Sequence, residues 1–92
     1  MSELRKSLTI VNKRGLHARA SAKFVGAVSA IETDTKVQVA KDGNQAAGGS
    51  ILGLMMLGAA KGDEVELIVS GENADAVFAD LSAMIEDGFG EE

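Results

Sequence analysis

The residues best suited to chemistry lie around His17, the single histidine of the chain, which follows Gly15 and precedes Arg19. A strand-like segment comes before this histidine and small helix-forming residues come after it, so a helix is expected to begin near Ala18. The first backbone N–H groups of a helix lack intrahelical acceptors and lie at the positive end of its dipole. An anion held on the His17 ring would meet these donors. The pattern therefore favours an imidazole that accepts and gives up a phosphoryl group.

The charge distribution supports an anion site near this histidine. The chain has a net charge of −5, yet residues 4–31 contain six basic side chains and no acidic one. The basic residues are Arg5, Lys6, Lys13, Arg14, Arg19 and Lys23. A basic region this small, without aromatic side chains for base stacking, argues against nucleic-acid binding. A lone histidine is otherwise most often a surface or capping residue, but its basic neighbours favour a phosphoryl site or docking to an acidic protein surface.

Length and composition restrict the remaining possibilities. Ninety-two residues suit a single domain spanning residues 1–92, and an apolar content of 46% with only 3% aromatic residues predicts a mainly aliphatic core. The absence of cysteine excludes disulfides and thiolate metal sites, and one histidine argues against zinc. No apolar run reaches the length of a membrane span. We therefore expect a cytoplasmic monomer with no cofactor, no bound metal and no membrane insertion.

Hydrophobic periodicity predicts the element order βαββαβα. The predicted strands cover residues 4–11, 36–39, a short segment after the Asp42-Gly43 hairpin signal, and 64–70; the predicted helices cover 18–30, 50–57 and a segment from Asn73 to Gly88. We expect Ser50 and Asn73 to cap the second and third helices. The alternation in the strands predicts a sheet with one solvated face and helices on the other, an α+β architecture. The Glu91-Glu92 tail is expected to fray.

The second predicted helix is apolar nearly all round. If Leu54 and Leu57 face the core, then Ile51, Leu52 and Met55 lie on a different side of the helix. Exposed apolar patches usually mark partner surfaces, and methionine adapts to several partners. We therefore predict a docking patch at these three residues, the alternative being that the whole helix is buried.

Two blocks of sequence carry a family resemblance. Gly15-Leu16-His17-Ala18-Arg19 resembles the active-site signature of HPr, the histidine-containing phosphocarrier family of the bacterial phosphotransferase system. The block Gly49-Ser50-Ile51-Leu52-Gly53-Leu54-Met55-Met56-Leu57-Gly58 resembles the regulatory serine of that family and the short helix after it. The similarity extends over nearly the whole chain. It implies an HPr-like open-faced β-sandwich with antiparallel strand order 1-4-2-3 and three helices on one face.

The resemblance also implies a function. His17 would accept a phosphoryl group on Nδ1 from phosphorylated enzyme I and pass it to downstream enzyme II-type acceptor proteins. Arg19 and the backbone of Ala18 would bind the phosphate, and a kinase of the HPr kinase/phosphorylase type would phosphorylate Ser50. The protein would be a phosphoryl carrier rather than an independent catalyst, since the sequence offers no obvious second titratable group beside His17. Two departures are Ala20, where the family usually has proline, and Gly49, where many members have lysine.

Two other classes of function are open at this point. An acyl-carrier-like module modified on Ser50 would suit the acidity and size, but residue 49 is glycine where that family has aspartate, and the predicted strands do not suit a helical bundle. A purely regulatory binding module of a nitrogen- or carbon-control phosphorelay, not coupled to sugar uptake, would leave the basic loop around His17 unexplained. The sequence does not distinguish a relay for sugar uptake from one for regulation.

Overall fold

Strands and helices follow one another in the order that the periodicity predicts. The computed structural model of the protein describes residues 3–91. Its elements are β1 (Glu3–Thr9), α1 (Ala18–Ser29), β2 (Thr35–Lys41), β3 (Asn44–Ala47), α2 (Ile51–Met56), β4 (Glu64–Gly71) and α3 (Ala74–Glu86). A 3-10 turn at Gly88–Gly90, which the sequence did not predict, follows α3.

The four strands form one antiparallel sheet in the order β1-β4-β2-β3. Strand β4 is central, and its Leu67 pairs with Lys6 on one side and Val39 on the other. Asp42 and Gly43 both have positive φ, at 52° and 85°, as a two-residue type I′ hairpin turn requires. The predicted fold class, strand order and hairpin are confirmed.

The core lies between the sheet and the helices. Val65, Leu67 and Val69 alternate along β4 toward the helical layer, and each is at most 2% exposed. Ile68 points to the opposite face and is nevertheless buried; its strand partners there are Arg5 and Gln38. The outer face of the sheet is therefore not uniformly polar.

The third helix buries one face against the core, and the capping at its start differs from the prediction. Val77, Leu81 and Ile85 are buried, whereas Phe78 and Met84 are only partly buried. Asn73 occupies the N-cap position in a left-handed conformation and makes no capping hydrogen bond through its side chain, so the expectation that it caps the helix in this way is wrong. None of the helices within residues 3–91 combines the length and apolar character that a membrane span requires.

Candidate functional site

The loop between β1 and α1 is held close to the segment that follows α2. The N–H of Leu16 donates to the carbonyl of Ala59 at 3.0 Å, and Gly15 has a φ of 62°. A Cβ at position 15 would lie 2.2 Å from that carbonyl oxygen, far inside van der Waals contact. Only glycine satisfies both the left-handed backbone and the close approach. This contact fixes the direction of the backbone as it leads into His17.

His17 is the N-cap residue of α1, as the sequence predicts. Its backbone is extended, with φ −76° and ψ −178°, and its Nδ1 accepts a hydrogen bond from the backbone N–H of Arg19 at 3.3 Å. The N–H of Ser21 donates to the His17 carbonyl at 2.9 Å and begins the helical hydrogen-bond series. The Nδ1 atom therefore lies against the N-terminus of α1, where the first-turn N–H groups lack intrahelical acceptors. Ala20, where the resemblance leads us to expect proline, is fully buried in the same turn.

The other ring nitrogen contacts a carboxylate that the sequence analysis missed. Nε2 of His17 lies 2.8 Å from Oε2 of Glu91. A backbone N–H can only donate, so Nδ1 must be the acceptor toward Arg19; an ionised carboxylate can only accept, so Nε2 must carry a proton. The two contacts together select the neutral tautomer protonated on Nε2, with the lone pair on Nδ1.

Glu91 is held on both of its oxygens. Its Oε1 accepts a hydrogen bond from Nδ2 of Asn12 at 3.0 Å, and the same amide donates to the carbonyl of Gly15 at 2.9 Å. Hydrogen bonds from Asn12 and then His17, together with the charge of Lys23, hold the pKa of Glu91 below its usual value against partial desolvation. Glu91 is therefore ionised at neutral pH. The expectations of a frayed tail at Glu91 and of no titratable group beside His17 are wrong; Glu92 lies outside the described residues.

The tail reaches the site because an aromatic side chain anchors it. Phe89 is 2% exposed and sits in the core with a positive φ of 58°, between Gly88 and Gly90. The Nζ of Lys23 donates to the Phe89 carbonyl at 2.8 Å and ties the tail to α1. The signal in the sequence was a single aromatic residue flanked by glycines in an otherwise polar terminus.

His17 and Glu91 lie at an open cleft of about 450 Å³. Its walls are formed by Lys13, Arg14, His17, Arg19, Lys23, Gly90 and Glu91. Arg19 is exposed, and its guanidinium forms no ion pair with any acidic side chain of residues 3–91. Four basic side chains, a helix N-terminus and an unprotonated Nδ1 thus lie around one opening. This arrangement can hold a phosphoryl group on the histidine and neutralise its charge.

Helix α2 packs against α1. The Oγ of Ser50 accepts a hydrogen bond from the N–H of Gly53 at 3.0 Å, which confirms the predicted N-cap. Leu54 and Leu57 are buried, while the three residues of the predicted docking patch, Ile51, Leu52 and Met55, are exposed. The exposed apolar surface also includes Met56, which is 77% exposed and was not part of the predicted patch.

Comparisons with known proteins agree with one another. The family described as PTS HPr component phosphorylation site matches residues 4–87. Phosphocarrier protein HPr of Neisseria meningitidis is 43% identical over 88 residues, covering 96% of this chain and 97% of the relative. Phosphocarrier protein NPr of Shewanella violacea is 36% identical over 91 residues, covering 99% and 98%. The crystal structure of HPr-C-His from Thermoanaerobacter tengcongensis superposes with a TM-score of 0.87 at 37% identity, covering 100% of this chain and 99% of that one.

Proposed function

The chain belongs to the HPr family of phosphocarrier proteins, and we propose that His17 is the residue on which it carries the phosphoryl group. The observation that supports this choice most directly is the pair of contacts made by the ring: Nε2 lies 2.8 Å from the Glu91 carboxylate and Nδ1 lies 3.3 Å from the Arg19 N–H, inside a basic cleft. These contacts fit the tautomer with an unprotonated Nδ1. An unprotonated imidazole nitrogen is a nucleophile. Its lone pair becomes available when the Arg19 N–H turns from Nδ1 to an oxygen of the incoming phosphoryl group.

The reaction at this site is a displacement at phosphorus. The Nδ1 lone pair of His17 forms the new N–P bond while the bond between phosphorus and the donor atom breaks, and the bonding pair stays with the donor. The Nε2 proton is not transferred. The oxygens of the incoming group meet the N–H groups of Ala18 and Arg19, and the Arg19 guanidinium steadies the group on arrival and departure without reacting itself.

The proposed partners are phosphorylated enzyme I as donor and enzyme II-type proteins as acceptors. In this proposal the protein is a carrier whose reaction is completed only with a partner. Incubation with phosphoenolpyruvate and enzyme I should add the mass of one phosphoryl group, and acid should remove it. No mass increase, or an acid-stable one, would contradict the assignment to a histidine.

A second candidate is a regulatory relay not coupled to sugar uptake. It is favoured by the relative named NPr, whose identity of 36% is not far below the 43% of the HPr relative. The two proposals differ only in the downstream acceptor. Transfer assays from the phosphorylated protein to each purified acceptor of the source cell distinguish them, because the physiological acceptor should be phosphorylated fastest.

We also propose that Ile51, Leu52 and Met55 form the surface on which these partners dock. Leu52 is 69% exposed, so the Leu52→Glu substitution should change the free energy of unfolding by less than about 0.5 kcal/mol. It should slow phosphorylation by enzyme I by about tenfold, since a charge in an apolar contact costs binding free energy of about 1.4 kcal/mol. Ala76→Glu adds the same charge at an exposed position of α3 and should leave the rate unchanged. A wild-type rate for Leu52→Glu contradicts the docking proposal.

The last element of the proposal is regulation through phosphorylation of Ser50. A phosphate on this N-cap would be stabilised by the helix dipole and would place about −1.5 to −2 charges beside Ile51 and Leu52. We expect Ser50→Asp to slow phosphorylation of His17 severalfold by weakening the encounter with enzyme I. Ser50→Asn is the matched control, because asparagine also caps helices but carries no charge. Equal rates for the two variants, with no labelling of Ser50 by an HPr kinase/phosphorylase and ATP, would leave the serine as a cap alone.

A further inference from the structure

Both oxygens of the Glu91 carboxylate are engaged by other side chains. One oxygen accepts from Asn12, which is itself 2% exposed and bonded to the Gly15 carbonyl, and the other contacts His17. The side chain of Glu91 is only 17% exposed. Buried Phe89 and the bond from Lys23 to its carbonyl fix the backbone that delivers this side chain. The segment from Phe89 to Glu91 is therefore held in place as part of the site.

We propose that Glu91 is a positioning residue for phosphoryl transfer, which holds the Nε2 proton of His17 so that Nδ1 presents its lone pair and which stabilises the phosphorylated ring. This inference rests on the proposed function of His17 as the acceptor. The contact between Glu91 and Nε2 has two roles in this proposal, one before the N–P bond forms and one after.

Before transfer, the contact selects the reactive tautomer. A neutral imidazole carries its proton on either nitrogen, and only the form protonated on Nε2 leaves Nδ1 free to attack. The 3.3 Å contact from the Arg19 N–H is long, whereas the 2.8 Å contact to an ionised carboxylate is short and charge-assisted. Glu91 therefore supplies most of the preference for the reactive form and fixes the orientation of the ring.

After transfer, the contact stabilises a positive charge that forms on the ring. When Nδ1 holds phosphorus and Nε2 keeps its proton, the ring itself is cationic. A carboxylate 2.8 Å from Nε2 stabilises that cation, as the buried aspartate does in a Ser-His-Asp triad. The phosphorylated form should consequently be longer-lived than it would be without Glu91.

The same contact could instead obstruct the site, because a carboxylate in a basic cleft occupies space that suits a phosphate. The geometry favours positioning: Glu91 contacts Nε2, while the acceptor atom Nδ1 faces Arg19 on the other side of the ring. The two interpretations predict opposite changes in rate, which makes the choice between them experimental.

The test compares Glu91→Gln with Glu86→Gln, an exposed position on α3 that undergoes the same change of charge. In Glu91→Gln the new side-chain amide can accept from only one of the two donors, and its NH₂ group faces the other.

We expect the ¹⁵N chemical shifts of the unphosphorylated, neutral ring to show an unprotonated Nδ1 in the wild type and in Glu86→Gln. In Glu91→Gln the two nitrogen shifts should move toward each other. Its rate of phosphorylation by enzyme I should fall about tenfold, or about 1.4 kcal/mol in activation free energy, and its phosphohistidine should hydrolyse faster.

The outcomes separate this inference from the proposed function. Wild-type shifts, rate and phosphohistidine lifetime in Glu91→Gln would overturn the positioning role while leaving His17 as the acceptor. A faster rate in Glu91→Gln would also overturn it and make the tail an obstruction. Absence of phosphorylation in the wild-type protein would overturn the proposed function, and the ring shifts would then still report whether Glu91 selects the tautomer.

Discussion

Replacing His17 by alanine is expected to abolish phosphorylation by enzyme I and phosphoenolpyruvate. His17 is the only histidine of the chain, so no other imidazole can take over the reaction. The Arg19 N–H would also lose its acceptor at the N-cap, which should lower the free energy of unfolding by about 1 kcal/mol without unfolding the domain. Intact-mass spectrometry after incubation with the donor system measures the result directly.

Two further variants make this result specific. His17→Asn provides a capping oxygen for the same N–H but no nucleophile, and it should be as inactive as the alanine variant with a smaller loss of stability. Arg19→Ala should slow transfer severalfold without abolishing it, because the guanidinium binds the phosphate but does not react. Phosphate uptake by either His17 variant would place the acceptor elsewhere, and a wild-type rate for Arg19→Ala would reduce that side chain to a solvated charge.

Substituting Gly15 by alanine is expected to lower the free energy of unfolding by about 2–5 kcal/mol, the largest change in stability among the predictions. Two penalties add at this position: a φ of 62° and a Cβ 2.2 Å from the carbonyl oxygen of Ala59. The second cannot relax without breaking the Leu16–Ala59 hydrogen bond, which orients the loop into His17. Chemical denaturation followed by circular dichroism measures the stability, and the phosphorylation rate should fall as well.

Gly58→Ala is the matched control for this experiment. Gly58 has a similar φ of 67°, but an added Cβ would meet nothing within 4 Å, so only the backbone penalty of about 1–2 kcal/mol applies. The difference between the two variants isolates the contact with Ala59. Equal losses at positions 15 and 58 would show that the Cβ added at position 15 avoids the carbonyl of Ala59 at no cost in stability.

Local signals in the sequence determined the elements and the position of His17, the proposed acceptor. Alternation in the strands, the Asp42-Gly43 hairpin and the Ser50 cap each depend on neighbouring residues, and each is confirmed. The placement of His17 at the start of α1 follows in the same way from the helix formers after it. The strand order 1-4-2-3 came only from the family resemblance, because nothing in the periodicity of a strand identifies its neighbours.

Partial burial was harder to predict than the elements themselves. Periodicity separated the buried pair Leu54 and Leu57 from the exposed residues of α2, but it left Met56 unassigned. In a helix of six residues the direction of each side chain depends on how the helix lies against α1 and the sheet. Ile68 likewise lies on the outer face by the strand alternation and is buried all the same, between Arg5 and Gln38 of the two adjacent strands.

The basic neighbours of His17 were predicted from the sequence, but only the tertiary structure showed the carboxylate beside its ring. Glu91 lies 74 residues from His17 in sequence, and Asn12 lies 79 residues from Glu91. Their contacts depend on the packing of α3 against the sheet, on the burial of Phe89 and on the left-handed turn that follows the helix. No local pattern encodes a contact of this kind, since each partner alone is an ordinary polar residue. His17 could therefore be singled out from the sequence as the proposed acceptor, whereas the carboxylate that contacts the opposite side of its ring could not.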